Sequence, residues 1–132
     1  MNALFGYSGT DGYNDLNGRS WYATGTYRQF LKQSDVTQPA MTWVTVDEHP
    51  DSNNDGFFIV SRTASQWGDL PGSLHCGGCG FSFADGHAEV HMWKSRTSIY
   101  PVRYFFGTVG FDAAGFRDFA WYKERTGYIL YR

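Results

Sequence analysis

The sequence lacks the features of several common functional classes. No run approaches the ~18 consecutive apolar residues of a membrane-spanning helix and no signal peptide is recognisable, so we expect a soluble chain without a membrane span. Its 11 basic and 13 acidic side chains give a formal net charge of −2, and no dense basic cluster is visible. Because phosphate binding needs clustered Lys and Arg, we expect no nucleic-acid partner. No G-x-S-x-G, P-loop or H-E-x-x-H motif indicates an enzyme class.

Leu and Ile are also sparse, whereas aromatic residues make up 19% of the chain, as 5 Trp, 9 Tyr and 11 Phe. The core must therefore be built largely from rings and β-branched side chains, which favours sheet over a helix bundle. A chain of 132 residues fits one domain, spanning residues 1–132. We predict an α+β fold, mainly antiparallel β-sheet with hairpins and one short helix.

Residues 75–93 contain the strongest local signal. Asp85 and Gly86 are turn residues, since Asp can hydrogen-bond the backbone ahead of it and Gly accepts positive φ. Gly77 and Gly78 can form a second tight turn upstream. Apolar residues on both sides of the first turn recur at alternate positions, as in half-buried strands: Phe81, Phe83, Ala88, Val90 and Met92. We predict a β-hairpin.

The rest of the chain shows weaker signals. Residues 111–122 have an acid near their start and apolar residues at helical spacing, which predicts the short helix. Residues 1–34 are rich in turn signals and predict loops with short extended pieces. Strands are predicted from β-propensity at 41–46, 57–61, 99–106 and 128–131, the first two forming a hairpin and the third being an edge strand because of Pro101.

Acids and amides crowd the tip of the hairpin predicted between residues 41 and 61. Asp51, Asn53 and Asp55 fit the first half of a D-x-N-x-D-G calcium loop, in which oxygen ligands alternate, and Asp47 adds a further carboxylate. The twelfth position of such a loop should be Glu and is Arg62, and no helices flank it. The alternatives are a bound Ca²⁺ and an ordinary Asx turn. No cofactor is therefore required, and Ca²⁺ is a possible one.

Cys76 and Cys79 are the two cysteines. A zinc site is disfavoured because it needs four ligands and a second Cys pair is absent. His87 and His91 share a strand face but lie ~13 Å apart, too far for both to reach one ion. The cysteines form either a strained disulfide, which an extracellular setting permits, or two free thiols.

Four acids among the aromatic residues suggest a competing function. Glycoside hydrolases commonly place two acids about 5–10 Å apart, flanked by aromatic platforms. The candidates here predict a small glycosidase or carbohydrate-binding domain that acts on a polysaccharide. Acids on turn tips are usually solvated, so catalysis is the less favoured expectation. The candidates are Asp47, Glu48, Asp85 and Glu89.

Several motifs, in order, support a family resemblance. His75, nine intervening residues and Asp85-Gly86 match an H-X9-DG signature, accompanied by WVTVDEHPDSNNDGFF, WGDLPGSLH, FSFADGHAEVHMW and FAWYKERTG. Residues 1–127 thus resemble the prepilin-type processing-associated domain, the C-terminal part of bacterial type II secretion pseudopilin-like proteins.

The resemblance implies a pseudopilin-like globular head with a structural role in the bacterial cell envelope or outside the cell. Its partners would be other pseudopilin subunits or further copies of the chain. The family's basic leader, processing site and long apolar helix are not in this sequence, so we expect a piece of a longer protein with a sheet edge or groove left uncovered. His75 and Asp85 would meet across paired strands, either as a brace that fixes the turns or as a functional site.

Overall fold

The computed structural model describes residues 1–6 and 27–129. They contain strands β1 (Trp43–Val46), β2 (Gly78–Phe83) and β3 (Ala88–Met92), helix α1 (Ala113–Thr126), and two 3₁₀ turns at Gln33–Asp35 and Pro39–Met41. The strands form one antiparallel sheet in the order β1-β2-β3. The prediction of a small α+β fold with antiparallel sheet and one helix is confirmed.

Both tight turns of the 75–93 stretch are present, one of them shifted. In the β2–β3 hairpin the Gly86 amide donates to the Phe83 carbonyl at 3.0 Å, and Gly86 has a φ of 96°. The upstream turn lies one residue earlier than predicted, because Cys76 and Gly77, with φ of 53° and 88°, are its central residues. Two consecutive positive φ values are what a type I′ turn requires, and it closes with hydrogen bonds exchanged between His75 and Gly78.

The core is aromatic and joins one face of the sheet to α1. Trp67 is fully buried at its centre, in edge-to-face contact with four other rings at centroid distances of 5.4–5.7 Å. Such pairs add about 0.5–1.5 kcal/mol each beyond the area that they bury. The four rings are Trp93, Phe111, Phe119 and Tyr122.

Helix α1 begins where a side chain can satisfy its first amides. Asp112 is extended at the N-cap, and its carboxylate accepts from the Gly115 amide at 2.6 Å. The buried carboxylate of Asp118 accepts from the amides of Lys94 and Ser95, which ties the helix to the segment after β3. The helix therefore begins and ends later than the 111–122 prediction, continuing to Thr126.

The predicted hairpin of residues 41–46 and 57–61 is wrong. Residues 57–61 form no strand, and β1 pairs with β2 instead. The backbone near Phe58 is satisfied elsewhere: the Phe58 amide donates to the Met1 carbonyl, and the Ile59 amide donates to the Asp69 carboxylate. A β-forming sequence thus finds partners that strand propensity does not reveal.

The strand predicted at residues 99–106 is also absent from the structure, where these residues are irregular. Two consecutive amides, of Arg103 and Tyr104, are taken by the Asp51 carboxylate, and Tyr104 has a φ of 60°. A left-handed residue cannot continue a strand ladder. This segment becomes an exposed loop that bears several apolar side chains.

The N-terminal residues form a small second cluster. Leu4, Tyr27 and Phe30 are buried together, and Asn2 donates through its side chain to the carbonyls of Trp43 and Thr126. Tyr27 forms an isolated antiparallel bridge with residue 129. The loops predicted for residues 7–26, and residues 130–131 of the closing strand predicted at 128–131, lie outside the described residues.

Candidate functional site

The sheet presents a second face, opposite the aromatic core, which we call the open face. Strand alternation defines it, since Gly80 is paired with Val90, Gly78 with Met92, and Ser82 with both Thr45 and Ala88. A shallow cavity of about 400 Å³ lies against these strands, and Asp47 lies at its border. The open face consists of Thr45, Asp47, Gly78, Gly80, Ser82, Ala88, Val90 and Met92.

Glycines on the central strand allow the flanking side chains to lie over it. A Cβ atom on Gly78 would stand 2.7 Å from both Met92 Sδ and Val90 Cγ1, and one on Gly80 would stand 2.6 Å from Asp47 Oδ2. Those distances are shorter than any ordinary contact, so larger residues would displace the neighbours. The two glycines thus produce a low central strip bordered by side chains of β1 and β3.

Asp47 and His75 form the polar end of the open face. His75 Nε2 lies 2.9 Å from Asp47 Oδ2, and the same carboxylate oxygen accepts from the Gly80 amide at 3.1 Å. Both side chains are about half exposed, at 55% for His75 and 52% for Asp47. The Asp47 backbone is itself paired with Gly80, so β2 holds the carboxylate in position. An imidazole oriented by a carboxylate can bind or move a proton.

His75 and Asp85, the predicted signature pair, have different partners. His75 precedes β2 and contacts Asp47, whereas Asp85 follows β2 and its Oδ1 lies 2.5 Å from His87 Nδ1. The Asp85 carboxylate also accepts from the His87 amide, and Gly86 completes the turn. The prediction that His75 and Asp85 meet is therefore wrong. Each has its own partner at its own end of β2.

The four predicted catalytic acids divide into three locations. Asp47 contacts His75, and Glu48 accepts from the Ser52 hydroxyl at 2.9 Å. Asp85 and Glu89 flank His87 at the exposed hairpin tip, with Glu89 Oε2 3.9 Å from Nε2. The hydrogen bond from His87 lowers the pKa of Asp85, which favours its charged form and opposes a general-acid role.

Sequence reasoning missed Asp69 as the charged neighbour of Glu48. Burial raises the pKa of Glu48, and the nearby Asp69 charge raises it further. Burial also raises the pKa of Asp69, whose Oδ2 accepts from the Ile59 amide at 2.5 Å. No spacing rule brings Asp69 to Glu48, because a turn-rich segment separates them and their proximity is tertiary.

The acids predicted to bind calcium serve as acceptors for backbone amides. Asp51 accepts from Arg103 and Tyr104, and Asp55 accepts from Phe57 at 2.7 Å. Within residues 1–6 and 27–129, no group of three or more His, Cys, Asp and Glu side chains is arranged to hold a metal ion. Calcium at Asp47, Asp51, Asn53 and Asp55 stays a prediction with a direct solution test.

The two cysteines are free thiols in different environments. Cys76 is exposed at the type I′ turn, and Cys79 is buried in β2. Burial raises the pKa of Cys79 to about 12, and its Sγ donates to the Asp47 carbonyl at 3.3 Å. Of the two alternatives, the structure has the free thiols, and Cys79 is a core residue that stays protonated.

A stack of His91 and Trp121, which the sequence did not predict, joins β3 to α1. Their ring centroids are 3.6 Å apart and the planes are inclined by 14°. The Arg125 guanidinium lies over the same indole at 4.4 Å. Burial lowers the pKa of His91, so the neutral imidazole is favoured there.

The geometry described above is the main source of functional information, since comparisons with known proteins found no match. No family model, curated protein or solved structure matches the chain. In the part of the chain that the structure describes, no helix is long and apolar enough to cross a membrane.

Proposed function

We propose that the chain is the globular head of a pseudopilin-like cell-envelope protein with a structural role, and that it contacts other subunits, or further copies of itself, through the open face. The observation that carries the proposal is the shape of this face. One side of the sheet is covered by the aromatic core, while the other offers a glycine strip bordered by exposed apolar residues.

Physical chemistry favours packing over catalysis on this surface. Val90, in the middle of β3, is 53% exposed, and Met92, at the end of the same strand, is 41% exposed. Adjacent apolar side chains on a low strip gain from contact with a complementary apolar surface. The order of the motifs that resemble the pseudopilin-like family supplies the class of partner.

Site-directed crosslinking in the cells that produce the protein tests this proposal. Cys76→Ser removes the exposed thiol, and Val90→Cys then places one reactive group on the open face. With a thiol-to-amine crosslinker we expect higher-mass adducts in the cell-envelope fraction. The matched control is Glu124→Cys on α1, where the side chain is 66% exposed and should give no such adducts.

Two results would contradict the structural role. Absence of adducts from Val90→Cys in a correctly folded protein would mean that the open face is not an interface. Recovery of the protein from the cell interior alone would contradict the proposed location in the envelope or outside the cell.

A further inference from the structure

The surface loop of residues 99–109 exposes an unusual run of apolar side chains, and we call it the aromatic loop. Tyr104 is 93% exposed and Phe105 is 62% exposed, more than any other ring among the exposed large hydrophobic residues that the structure describes. Exposed apolar patches of this kind mark interaction surfaces. The other exposed apolar residues of the loop are Ile99, Val102, Phe106 and Val109.

The aromatic loop is held in one shape. Asp51 is nearly buried, and its carboxylate accepts from the amides of Arg103 and Tyr104 at 2.7 and 2.9 Å. The base is closed by the Val109 amide, which donates to the Tyr100 hydroxyl at 2.9 Å, and by Thr108, which donates to the Trp67 carbonyl. These hydrogen bonds keep the tip of the loop, residues 104 and 105, at the surface and prevent it from packing against the core.

Backbone strain at the tip supports a binding role. Tyr104 has a φ of 60°, a conformation that bulky side chains rarely adopt. Strained residues persist where the surroundings over-determine them, and they concentrate at binding sites. The Asp51 carboxylate provides that constraint, and the result is a ring that points away from the protein.

The sequence that contains the aromatic loop is biased to basic residues. The acids that lie against the loop, Asp51 and Asp69, each accept from backbone amides. Residues 94–118 contain four basic and two acidic side chains, in a chain of net charge −2. Asp118 is buried on backbone amides, and Asp112 is occupied as the cap of α1. The four basic residues are all exposed: Lys94, Arg96, Arg103 and Arg117.

We propose that the aromatic loop inserts its tip into the interface of an anionic lipid bilayer. Tyr rings are favoured at the headgroup level, and Phe rings can enter the acyl boundary. Each basic residue near an anionic surface strengthens binding by about fivefold. The combination of apolar tip and basic surroundings fits a lipid surface in both respects.

A second copy of the chain fits this surface less well. In a symmetric dimer the same patch would face itself, bringing the basic residues of the two copies together. Like charges placed opposite each other oppose association. Charge therefore favours the lipid, independently of the role proposed for the open face.

Vesicle binding by the purified chain tests the proposal. Co-sedimentation with equimolar phosphatidylglycerol and phosphatidylcholine vesicles should show binding, which pure phosphatidylcholine should weaken at least tenfold. Tyr104→Asn with Phe105→Ser should reduce binding to the anionic vesicles at least tenfold while leaving the circular dichroism unchanged, since Asn tolerates positive φ. Met41→Ser, at an exposed apolar residue outside the loop, is the matched control and should stay within twofold.

A separate pair of substitutions tests the contribution of the basic residues to lipid binding. Arg103→Gln should weaken binding about fivefold, whereas Lys32→Gln, at an exposed site elsewhere, should not. Lack of binding to anionic vesicles, or binding that the double substitution leaves intact, would overturn the proposal. A concentration-dependent dimer that the double substitution abolishes, without vesicle binding, would assign the loop to a second copy instead.

Discussion

Double-mutant cycles on His75 can decide which carboxylate is its partner. The structure places Asp47 2.9 Å from His75, with both side chains about half exposed. Exposed ion pairs give coupling energies of about 0.2–1 kcal/mol, so we expect the Asp47→Ala and His75→Ala substitutions to couple within that range. A buried brace would instead cost about 1–3 kcal/mol for each partner left unsatisfied.

The same experiment with Asp85 should give additivity. His75 and Asp85 lie beyond opposite ends of β2, which has six residues. His75 is folded back beside Gly78, and the five residue steps from Gly78 to Phe83 span about 17 Å at ~3.3 Å each, which exceeds the ~10 Å Debye length at 0.1 M salt. Substitutions that share no partner at this distance should add within experimental error.

Urea denaturation of each single and double variant at 0.1 M ionic strength measures both cycles. Equal m-values across the set would confirm that only the native-state interactions changed. Coupling of His75 with Asp85, together with additivity of His75 with Asp47, would refute the geometry described above. Vesicle binding by the aromatic loop should be unaffected, since none of the three residues belongs to it.

Three further predictions concern the titration of His91, calcium binding by residues 47–55 and hydrolysis by the candidate catalytic acids. Burial lowers the pKa of His91, so the unfolded state binds a proton at this residue more readily than the folded state does. The free energy of unfolding should therefore fall as the pH drops below ~6.5. Urea titrations at pH 8 and pH 5.5 should show that His91→Phe removes this part of the pH dependence. A calcium ion held by residues 47–55 at 100 times its dissociation constant adds about 2.7 kcal/mol, so equal melting temperatures in chelator and in millimolar calcium would exclude it. A panel of glycosides and polysaccharides should give no turnover; hydrolysis lost in Glu48→Gln or Asp85→Asn variants that still fold would establish the competing hydrolase instead.

The sequence predicts the β2–β3 hairpin well because its determinants are local. Asp85 and Gly86 set the turn, and the alternation of apolar residues identifies the two strands. On β2 it also marks the buried side, with Phe81 and Phe83, whereas on β3 the apolar residues lie on the exposed open face. Helix α1 is predictable for a similar reason, since its spacing and the acid at its start lie within one segment. The boundaries were less accurate, because the N-cap and the contacts made by Asp118 determine them.

The errors concern partners that are distant along the chain. Residues 57–61 and 99–106 have strand-like composition, but strand propensity does not say which segment will pair with them. The first segment pairs with the N-terminal residues and Asp69, and the second is bent outward by Asp51. The carboxylate of Asp51 accepts from the amides of a loop about fifty residues away, a contact that no local pattern indicates.

The partner of His75 illustrates the same limit at the candidate site. The H-X9-DG spacing suggested Asp85, because both residues flank one hairpin. The contact with Asp47 exists because β1 pairs with β2 in one particular register, which places the Asp47 backbone beside Gly80. No local pattern in the sequence indicates that register. Asp47 and His75 are 28 residues apart, and neither residue type nor spacing identifies them as partners.

The type I′ turn connects the two proposed surfaces and should be left intact when either is tested. On one side it delivers His75 to Asp47 at the end of the open face. On the other, a Cβ atom on Gly77 would lie 3.3 Å from Ile99 Cδ1, at the start of the aromatic loop. Gly77→Ala would strain the backbone at a φ of 88° and would bring the new methyl group into tight contact with the side chain of Ile99. Because such a variant would disturb both surfaces at once, Val90 on β3 and the tip residues 104 and 105 are the positions at which the two proposals can fail separately.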